Sequence, residues 1–239
     1  MTLPARLCSQ APRTFTAGGL LVTLHKAISI DGERIPYVQT GPVGESGDAP
    51  VHMSGYGGFG MSMRPYYNSA LGKLWLERGG TTMQANLRGG GEFGSRWHVA
   101  GRLAGKRLSS DDFAAVAADL VRRGVTQPKR IAAQSGANGG ILITNMLTRY
   151  PERFGALFCT IPLIDMRRYT KLLAGASWIA EYGDPDNSDA WDGSRPFRLS
   201  CREARTKLST DLHRHHAARR SSPPWACPQD GGEAAGDGL

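Results

Sequence analysis

Residues Lys129–Leu147, "KRIAAQSGANGGILITNML", contain a strand, a tight turn and a helix in direct succession. "KRIAAQS" is a short run of strand length and "GILITNML" has the composition of a buried helix, which confines the turn to residues 136–139. Small residues are needed at such a turn because the backbone bends sharply and passes close to its neighbours. We therefore predict that the strand delivers Ala137 to the crest of a sharp corner.

Strand-like and helix-like segments alternate on the N-terminal side of this corner. "KAISIDGERIPYVQ" has Asp31-Gly32 between two alternating runs, which is the strongest short-range signal of a β-hairpin. "APVHMSGYGG" and "TTMQANLRGGG" are each predicted to be a strand that ends in glycines. Between them, "RPYYNSALGKLWLERGG" has a helical period and ends at Gly79-Gly80, a plausible helix stop.

The clearest helix is "SSDDFAAVAADLVRRG", with Ser109 or Ser110 as its predicted cap and Gly124 as its stop. Asp111 and Asp112 suit the positive N-terminal end of that helix. Its apolar face comprises Phe113, Val116, Leu120 and Val121. "GALFCTI" is a further predicted buried strand, so strands and helices alternate. This order predicts parallel pairing with right-handed crossovers, which is an α/β doubly wound, mostly parallel sheet.

Composition restricts the class of protein. The chain has 239 residues, of which 40% are hydrophobic and 21% charged, as in a globular domain. Its net charge of +8 is spread out without a basic helix, so we expect no nucleic-acid partner. No apolar run is long enough to span a membrane and the N-terminus lacks an export pattern, so we expect a cytoplasmic protein. The four cysteines share no metal-ligand spacing, and we expect neither metal nor cofactor.

The periodic pattern stops close to Asp192. We therefore divide the chain into a linker at residues 1–19, one α/β domain at residues 20–192 and a tail at residues 193–239. The tail is dense in Arg, Ser, Pro and Gly, and we expect it to be disordered because it cannot bury enough apolar surface. The tail's histidines are predicted not to bind metal, because no second ligand cluster accompanies them. These histidines are His213, His215 and His216.

A strand, a glycine-flanked sharp turn and a helix form the nucleophile elbow of α/β-hydrolases. Here the position of the nucleophile is occupied by Ala137, whose methyl group can neither attack a carbonyl nor share a proton with histidine. Ser135 lies two residues earlier, before the turn, so we expect its hydroxyl to lie several ångströms from any oxyanion donors. It is a poor replacement for a nucleophile.

Five motifs then point to one family. They are "GYGGFG", "NLRGGGEFG", "QPKR", "SGANGG" and "WIAEYGDPDN". Together and in this order they resemble the catalytic domain of the prolyl oligopeptidase family of serine peptidases. The family's elbow is Gly-Gly-Ser-Asn-Gly-Gly, so this chain departs from it with Ser135 for the first glycine and Ala137 for the nucleophile. Asn138 favours the prolyl oligopeptidase branch over the oligopeptidase B branch.

The resemblance implies roles for five residues. The Tyr56 hydroxyl and the backbone N–H of Asn138 would be the oxyanion donors, directed at charge that develops only in a tetrahedral intermediate. Three aromatic residues would surround the proline of a short peptide substrate, since flat rings stack on a pyrrolidine without hydrogen bonds. These three are Phe59, Trp178 and Tyr182. Their alternative role is core packing. Arg88 and Glu92 are predicted to be structural ion-pair or turn residues.

The other triad members are also missing from their expected places. The family's Asp-Asp-Arg and Gly-His motifs do not occur, and Asp165, Asp184 and Asp186 occupy other family positions. If the codons of the tail are read one nucleotide later, each new codon can encode only a few residues. Among the sequences that these codons permit is Asp-Asp-Arg followed by Gly-His. We therefore expect Ser194–Leu239 to be a frameshifted translation of the family's last segment. By comparison with the family, we also expect the last strands and helix of the sheet, and the N-terminal β-propeller, to be absent.

Family membership implies cleavage of short peptides after proline through an acyl-enzyme. For this copy we expect a catalytically inactive form, without nucleophile, acid or base. Two alternatives stay open: a non-catalytic protein that binds proline-containing peptides, and a non-functional pseudogene product. The sequence leaves the oligomeric state undetermined.

Overall fold

The computed structural model describes residues 14–44 and 46–187. The predicted tail and most of the predicted linker lie outside the described residues. The strands are β1 Leu20–Ile28, β2 Arg34–Pro42, β3 Val51–Ser54, β4 Thr81–Ala85, β5 Ile131–Gly136 and β6 Ala156–Thr160. The α-helices are α1 Ser69–Leu74, α2 Ser95–Ala100, α3 Lys106–Arg122, α4 Asn138–Arg149 and α5 Ile179–Tyr182.

The strands form one sheet with the order β1-β2-β4-β3-β5-β6. The predicted hairpin is present: β1 and β2 pair antiparallel, and Gly32 in their connection has a φ of 85°. Strand β4 is antiparallel to β2 but parallel to β3, and β3, β5 and β6 continue the parallel part. The α/β, mostly parallel class is therefore confirmed.

The parallel register decides which loops meet. Ser54, the last residue of β3, lies opposite Gln134 near the end of β5. Because parallel strands end at the same edge of a sheet, the loop after β3 adjoins the corner after β5. This edge brings Tyr56 next to the predicted elbow.

The core lies between one face of the sheet and helices α3 and α4. Apolar side chains of the central strands alternate toward these helices and are almost completely buried, among them Val51, Met53, Met83, Ile131 and Ala133. Phe113, Val116 and Leu120 of the predicted apolar face of α3 are fully buried against them. Burying each large apolar side chain stabilises the fold by about 1.5–3 kcal/mol.

The predicted start of α3 is wrong by one turn. A 3₁₀ turn at Leu103–Gly105 runs directly into the helix, whose N-cap is Gly105, so the helix begins at Lys106. The Ser109 hydroxyl does not cap the helix; it donates to the carbonyl of Arg88 at 2.6 Å. Asp112 likewise lies inside the helix, where it pairs with Arg88. Gly124 ends the helix as predicted, with a φ of 75°.

Two other segments differ from their predictions. The helical pattern that ends at Gly79 forms a helix only from Ser69, because the Asn68 side chain accepts the N–H of Leu71 and caps it there. Strand β6 was predicted to be buried, but it is half-exposed and Phe158 is 56% exposed. The reason is that β6 is the last strand at its edge of the described sheet.

Candidate active site

Ala137 occupies the corner between β5 and α4. Its φ of 52° and ψ of −117° lie in a region that residues with a Cβ rarely adopt and that costs about 1–3 kcal/mol. Three backbone hydrogen bonds hold it there. Its N–H donates to Thr160 at 3.1 Å, and its carbonyl accepts from Gly140 at 2.8 Å and Leu163 at 3.2 Å. The backbone thus forms the sharp strand-to-helix corner that the sequence predicts, with a methyl group at its crest.

The glycines of the corner are required by close packing. A Cβ on Gly140 would lie 2.6 Å from the Cα of Pro162, and one on Gly136 would lie 2.8 Å from the carbonyl oxygen of Thr160. Both contacts are far shorter than van der Waals distance and involve backbone atoms. The small residues therefore allow α4 to approach the segment that follows β6.

Ser135 has a structural role at this corner. Its hydroxyl donates to the carbonyl of Gly55 at 2.6 Å and so links β5 to the loop after β3. A Cβ on Gly139 would overlap the Ser135 Oγ, so the hydroxyl is enclosed beneath the first turn of α4. Ser135 thus lies in β5 before the turn, as the sequence predicts, and the expectation that it does not replace the nucleophile stays a prediction.

Asn138 connects two of the predicted site residues through its side chain. The side chain is 4% exposed; its Nδ2 donates to the carbonyl of Tyr56 at 2.8 Å and its Oδ1 accepts the Tyr182 hydroxyl at 2.7 Å. The sequence suggested only a role for the backbone N–H of Asn138. The amide side chain is thus also the element that ties the Tyr56 loop to α4 and to α5.

Tyr56 lies half-buried beside this amide. Burial raises the pKa of its hydroxyl, and the negative charge of Glu181 raises that pKa further. The phenol therefore stays protonated at neutral pH and can donate a hydrogen bond. Donating to a developing oxyanion is the chemistry that the resemblance implies for it.

The three predicted aromatic residues form one cluster. Phe59 packs edge-on against Trp178 at 6.3 Å and against Tyr182 at 5.7 Å between ring centroids. Phe59 is 37% exposed and Trp178 is half-buried, whereas Tyr182 is completely buried. Phe59 and Trp178 therefore keep exposed ring surface, whereas Tyr182 is packed beneath them as a core residue is. Their contact with a substrate proline stays a prediction.

A buried ionic network lies under this cluster, and the sequence analysis did not predict it. Lys106 and Glu181 are each 4% exposed, and Nζ lies 2.6 Å from Oε1. His98 Nε2 lies 3.0 Å from the other carboxylate oxygen of Glu181. Burial alone would raise the pKa of Glu181, but the charge of Lys106 and the hydrogen bonds to the carboxylate outweigh burial and lower it. Glu181 is therefore ionised at neutral pH.

Arg88 and Glu92 are structural, as predicted. Arg88 is 4% exposed and pairs with Asp112 at 2.6 Å and Asp31 at 2.5 Å, which joins α3 to the β1–β2 connection. Glu92 accepts the N–H of Met63 at 2.9 Å and fixes the loop that precedes α1.

No described histidine reaches the elbow with a hydrogen bond. Within residues 14–44 and 46–187, the histidines bond to other groups: His25 to Thr23, His52 to Gln134 and His98 to Glu181. Asp165 pairs with Arg168. His213, His215 and His216 lie outside the described residues. The described part of the site therefore has the predicted oxyanion donors and the aromatic cluster beside a methyl group.

Among the described residues, no helix is long and apolar enough to cross a bilayer. That part of the chain also has no group of three or more His, Cys, Asp or Glu side chains that could hold a metal ion. Cys159 is the free thiol of the described residues, and burial raises its pKa to about 11.

The sheet order, the strand-to-helix corner and its close-packed glycines define an α/β-hydrolase with a nucleophile elbow. The sequence model of the prolyl oligopeptidase family matches residues 67–202. The chain belongs to the prolyl oligopeptidase family.

Similar proteins agree with this assignment. An uncharacterized peptidase of Sinorhizobium fredii is 43% identical over 181 residues, which are 75% of this chain and 25% of that protein. A prolyl endopeptidase of Elizabethkingia miricola is 35% identical over 162 residues, 67% of this chain and 23% of its own length. The chain thus spans about a quarter of the length of these relatives.

Solved structures share the fold. A post-proline cleaving enzyme from Rickettsia typhi superposes with a TM-score of 0.73 at 34% identity, covering 77% of this chain and 27% of that enzyme. Prolyl oligopeptidase B from Galerina marginata, in a mutant with one serine replaced by alanine and bound to a 35mer substrate, has a TM-score of 0.71 at 27% identity. That match covers 82% of this chain and 31% of the other.

Proposed function

We propose that this chain binds short proline-containing peptides in the manner of a prolyl oligopeptidase catalytic domain and does not cleave them. One observation carries the proposal: Ala137 lies at the crest of an intact elbow, beside Tyr56, Asn138 and the aromatic cluster. The groups that would recognise a peptide and its carbonyl are present, while the atom that would attack is absent.

Two facts about relatives support peptide binding. Two relatives that are 35% identical to this chain over 162 residues are prolyl endopeptidases. The Galerina marginata enzyme was solved with a 35mer substrate bound to a mutant in which one serine of the enzyme is replaced by alanine. Ala137 would place this chain in a comparable state. Since the chain matches only a quarter of its relatives' length, a whole enzyme's activity is not transferred to it.

Loss of cleavage follows from the chemistry of acyl transfer. A methyl group cannot form the acyl-enzyme, and oxyanion and binding groups alone leave a residual rate that is only about 10³–10⁴ times that in water. We expect no measurable turnover of a fluorogenic peptide with a central proline. Cleavage that a serine-peptidase inhibitor abolishes would refute the proposal.

Restoring the hydroxyl alone should not restore the enzyme. In Ala137→Ser the serine has no hydrogen-bonded histidine among the described residues, so it stays a weak nucleophile. We expect neither peptide cleavage nor labelling by a fluorophosphonate probe, measured beside an intact prolyl endopeptidase. Stoichiometric labelling of Ala137→Ser would show that a base is supplied from elsewhere in the chain.

Binding is tested by titration. A fluorescent peptide with a central proline should bind more tightly than the same peptide with alanine in place of proline, because the rings of Phe59 and Trp178 would lose their stacking partner. Equal affinity for the two peptides would contradict the proline preference. Absence of binding to either would contradict the proposed function itself.

A second candidate is a decayed, non-functional product. Large apolar side chains at both edges of the described sheet favour it: Val22 is 67% exposed, Leu24 66% and Phe158 56%. Such uncovered edges promote aggregation. A monomeric chain with a cooperative thermal transition would count against this candidate, whereas aggregation without a transition would support it.

A further inference from the structure

The loop after β3 carries Tyr56 and Phe59, and a turn bond from the Met61 N–H to the Gly58 carbonyl, at 3.0 Å, encloses Phe59 and Gly60. Within it Gly57, Phe59 and Gly60 have φ values of 61°, 56° and 62°. The left-handed value is ordinary for the two glycines and strained for Phe59. The N–H of Phe59 takes no part in this turn and bonds outside the loop.

Side chains from three helices hold this loop. Asn138 of α4 donates to the carbonyl of Tyr56 at 2.8 Å, and Lys106 of α3 donates to the carbonyl of Gly57 at 3.0 Å. Glu181 of α5 accepts the N–H of Phe59 through Oε1 at 3.0 Å. Of these three, the bond to Glu181 is the one made to the strained residue itself.

The space around the loop is closed on the same side. A Cβ on Gly58 would lie 2.5 Å from Asn138 Nδ2 and 2.7 Å from Lys106 Nζ. The loop backbone is thus pressed directly against the side chains that hold it. A movement of Lys106 or Glu181 would therefore displace the Phe59 backbone directly, because no other residue lies between them.

Glu181 also belongs to the floor of the aromatic cluster. Its neighbour Tyr182 contacts the ring of Phe59, and Lys106 lies 5.3 Å from the centroid of the Tyr182 ring. One short helix therefore supplies both the ring under Phe59 and the acceptor for its N–H. Lys106 compensates the charge of Glu181, which permits a carboxylate to be buried at this place.

We propose that Glu181 is a positioning residue of the peptide pocket: its carboxylate holds Phe59 in its left-handed conformation, and Lys106 neutralises that carboxylate. This role rests on the proposed peptide-binding function. It adds that the affinity for proline peptides depends on a buried group that a bound peptide does not touch.

Two double variants separate the acceptor from the charge. Lys106→Met with Glu181→Gln removes both buried charges and keeps an oxygen that can accept the Phe59 N–H. Lys106→Met with Glu181→Ala removes the charges and the acceptor. Both variants lack an unpaired buried charge and both lose the Lys106 bond to the Gly57 carbonyl, so they differ only in the side chain at position 181.

Amide hydrogen exchange of Phe59 is the first readout. The exchange should be slow in the parent and in the glutamine variant and at least about tenfold faster in the alanine variant, because only the alanine variant lacks an acceptor. The second readout is affinity for the proline peptide. It should be at least about tenfold weaker in the alanine variant than in the glutamine variant.

Equal Phe59 exchange and equal affinity in the two double variants would overturn the positioning role. If the parent binds no peptide, the proposed function fails, and Phe59 exchange alone then decides whether Glu181 holds the loop. If the alanine variant does not fold, the parent supplies a further measurement. A Phe59 amide that exchanges in the parent at the rate of an unprotected amide would overturn the proposal without any substitution.

Discussion

The elbow at Ala137 and the aromatic pocket at Phe59 are joined by the side chain of Asn138, yet they retain different parts of a peptidase site. The elbow retains its strained backbone and its close-packed glycines but lacks the reacting atom. The pocket retains its rings, its floor and the buried charges that support it. The geometry of such a strand-to-helix turn therefore depends on backbone packing and small residues, and not on the side chain that the turn presents.

The largest effect is expected from breaking the support of the pocket. Glu181→Ala leaves the Lys106 ammonium buried without a carboxylate, which typically costs about 3–5 kcal/mol. We expect urea denaturation to show a loss of that size in the free energy of unfolding. Lys73→Met, which removes the exposed partner of Glu77, is the control and should leave the unfolding midpoint unchanged. Similar losses in both variants would mean that the buried ion pair contributes no more to the free energy of unfolding than the exposed pair does.

Acid should weaken the pocket more than the elbow. The pKa of Glu181 is lowered in the folded protein from about 4.5 in the unfolded chain, because Lys106 and the hydrogen bonds to the carboxylate outweigh its burial. A lowered folded pKa means that this stability is complete above the unfolded pKa and is lost as pH falls through the folded value.

The pH effect is measured by comparing the unfolding free energies of the parent and Glu181→Gln. As the pH falls below about 4.5, the parent should lose stability more steeply than Glu181→Gln, which has no carboxylate to protonate at this position. Parallel pH profiles of the parent and the glutamine variant would contradict an ionised Glu181.

The recognition surface of the pocket should depend on Phe59. Phe59→Ala removes the half-exposed ring that packs on Trp178, and we expect proline-peptide affinity to fall about tenfold, which corresponds to about 1.4 kcal/mol. Phe158→Ala removes an exposed ring of the same size from β6 and should leave the affinity unchanged. If both substitutions weaken binding equally, the peptide does not bind specifically at the Phe59 cluster.

The two regions also differ in how far the sequence predicts them. The elbow follows from adjacent residues, since a strand, a glycine-rich turn and a helix succeed one another in Lys129–Leu147. The network of His98, Lys106 and Glu181 depends on residues up to 83 positions apart, which only the packing of three helices brings together. The available signal was Glu181 itself, a charged residue directly beside the predicted pocket residue Tyr182.

Errors in the fold prediction have the same physical origin. Ser109 has the chemistry of a helix cap, but its hydroxyl bonds to Arg88, which lies 21 residues away, while the cap position falls on Gly105. The exposure of β6 depends on which strand ends the described sheet, and no local pattern reports that. Local residues thus predict the type of an element, whereas long-range neighbours determine its limits and its burial.

The smallest expected effect tests whether the elbow is still strained without its nucleophile. Ala137→Gly removes the Cβ at a φ of 52°, which relieves about 1–3 kcal/mol of strain, while glycine costs about 0.5–1 kcal/mol in unfolded-chain entropy. We therefore expect a net gain of about 1 kcal/mol in the free energy of unfolding. Ala133→Gly, in the regular part of β5, is the matched control and should destabilise, because its backbone is unstrained and its methyl group is buried. A loss of stability in Ala137→Gly as large as that in Ala133→Gly would mean that residue 137 is relaxed, and the corner would then not be a nucleophile elbow.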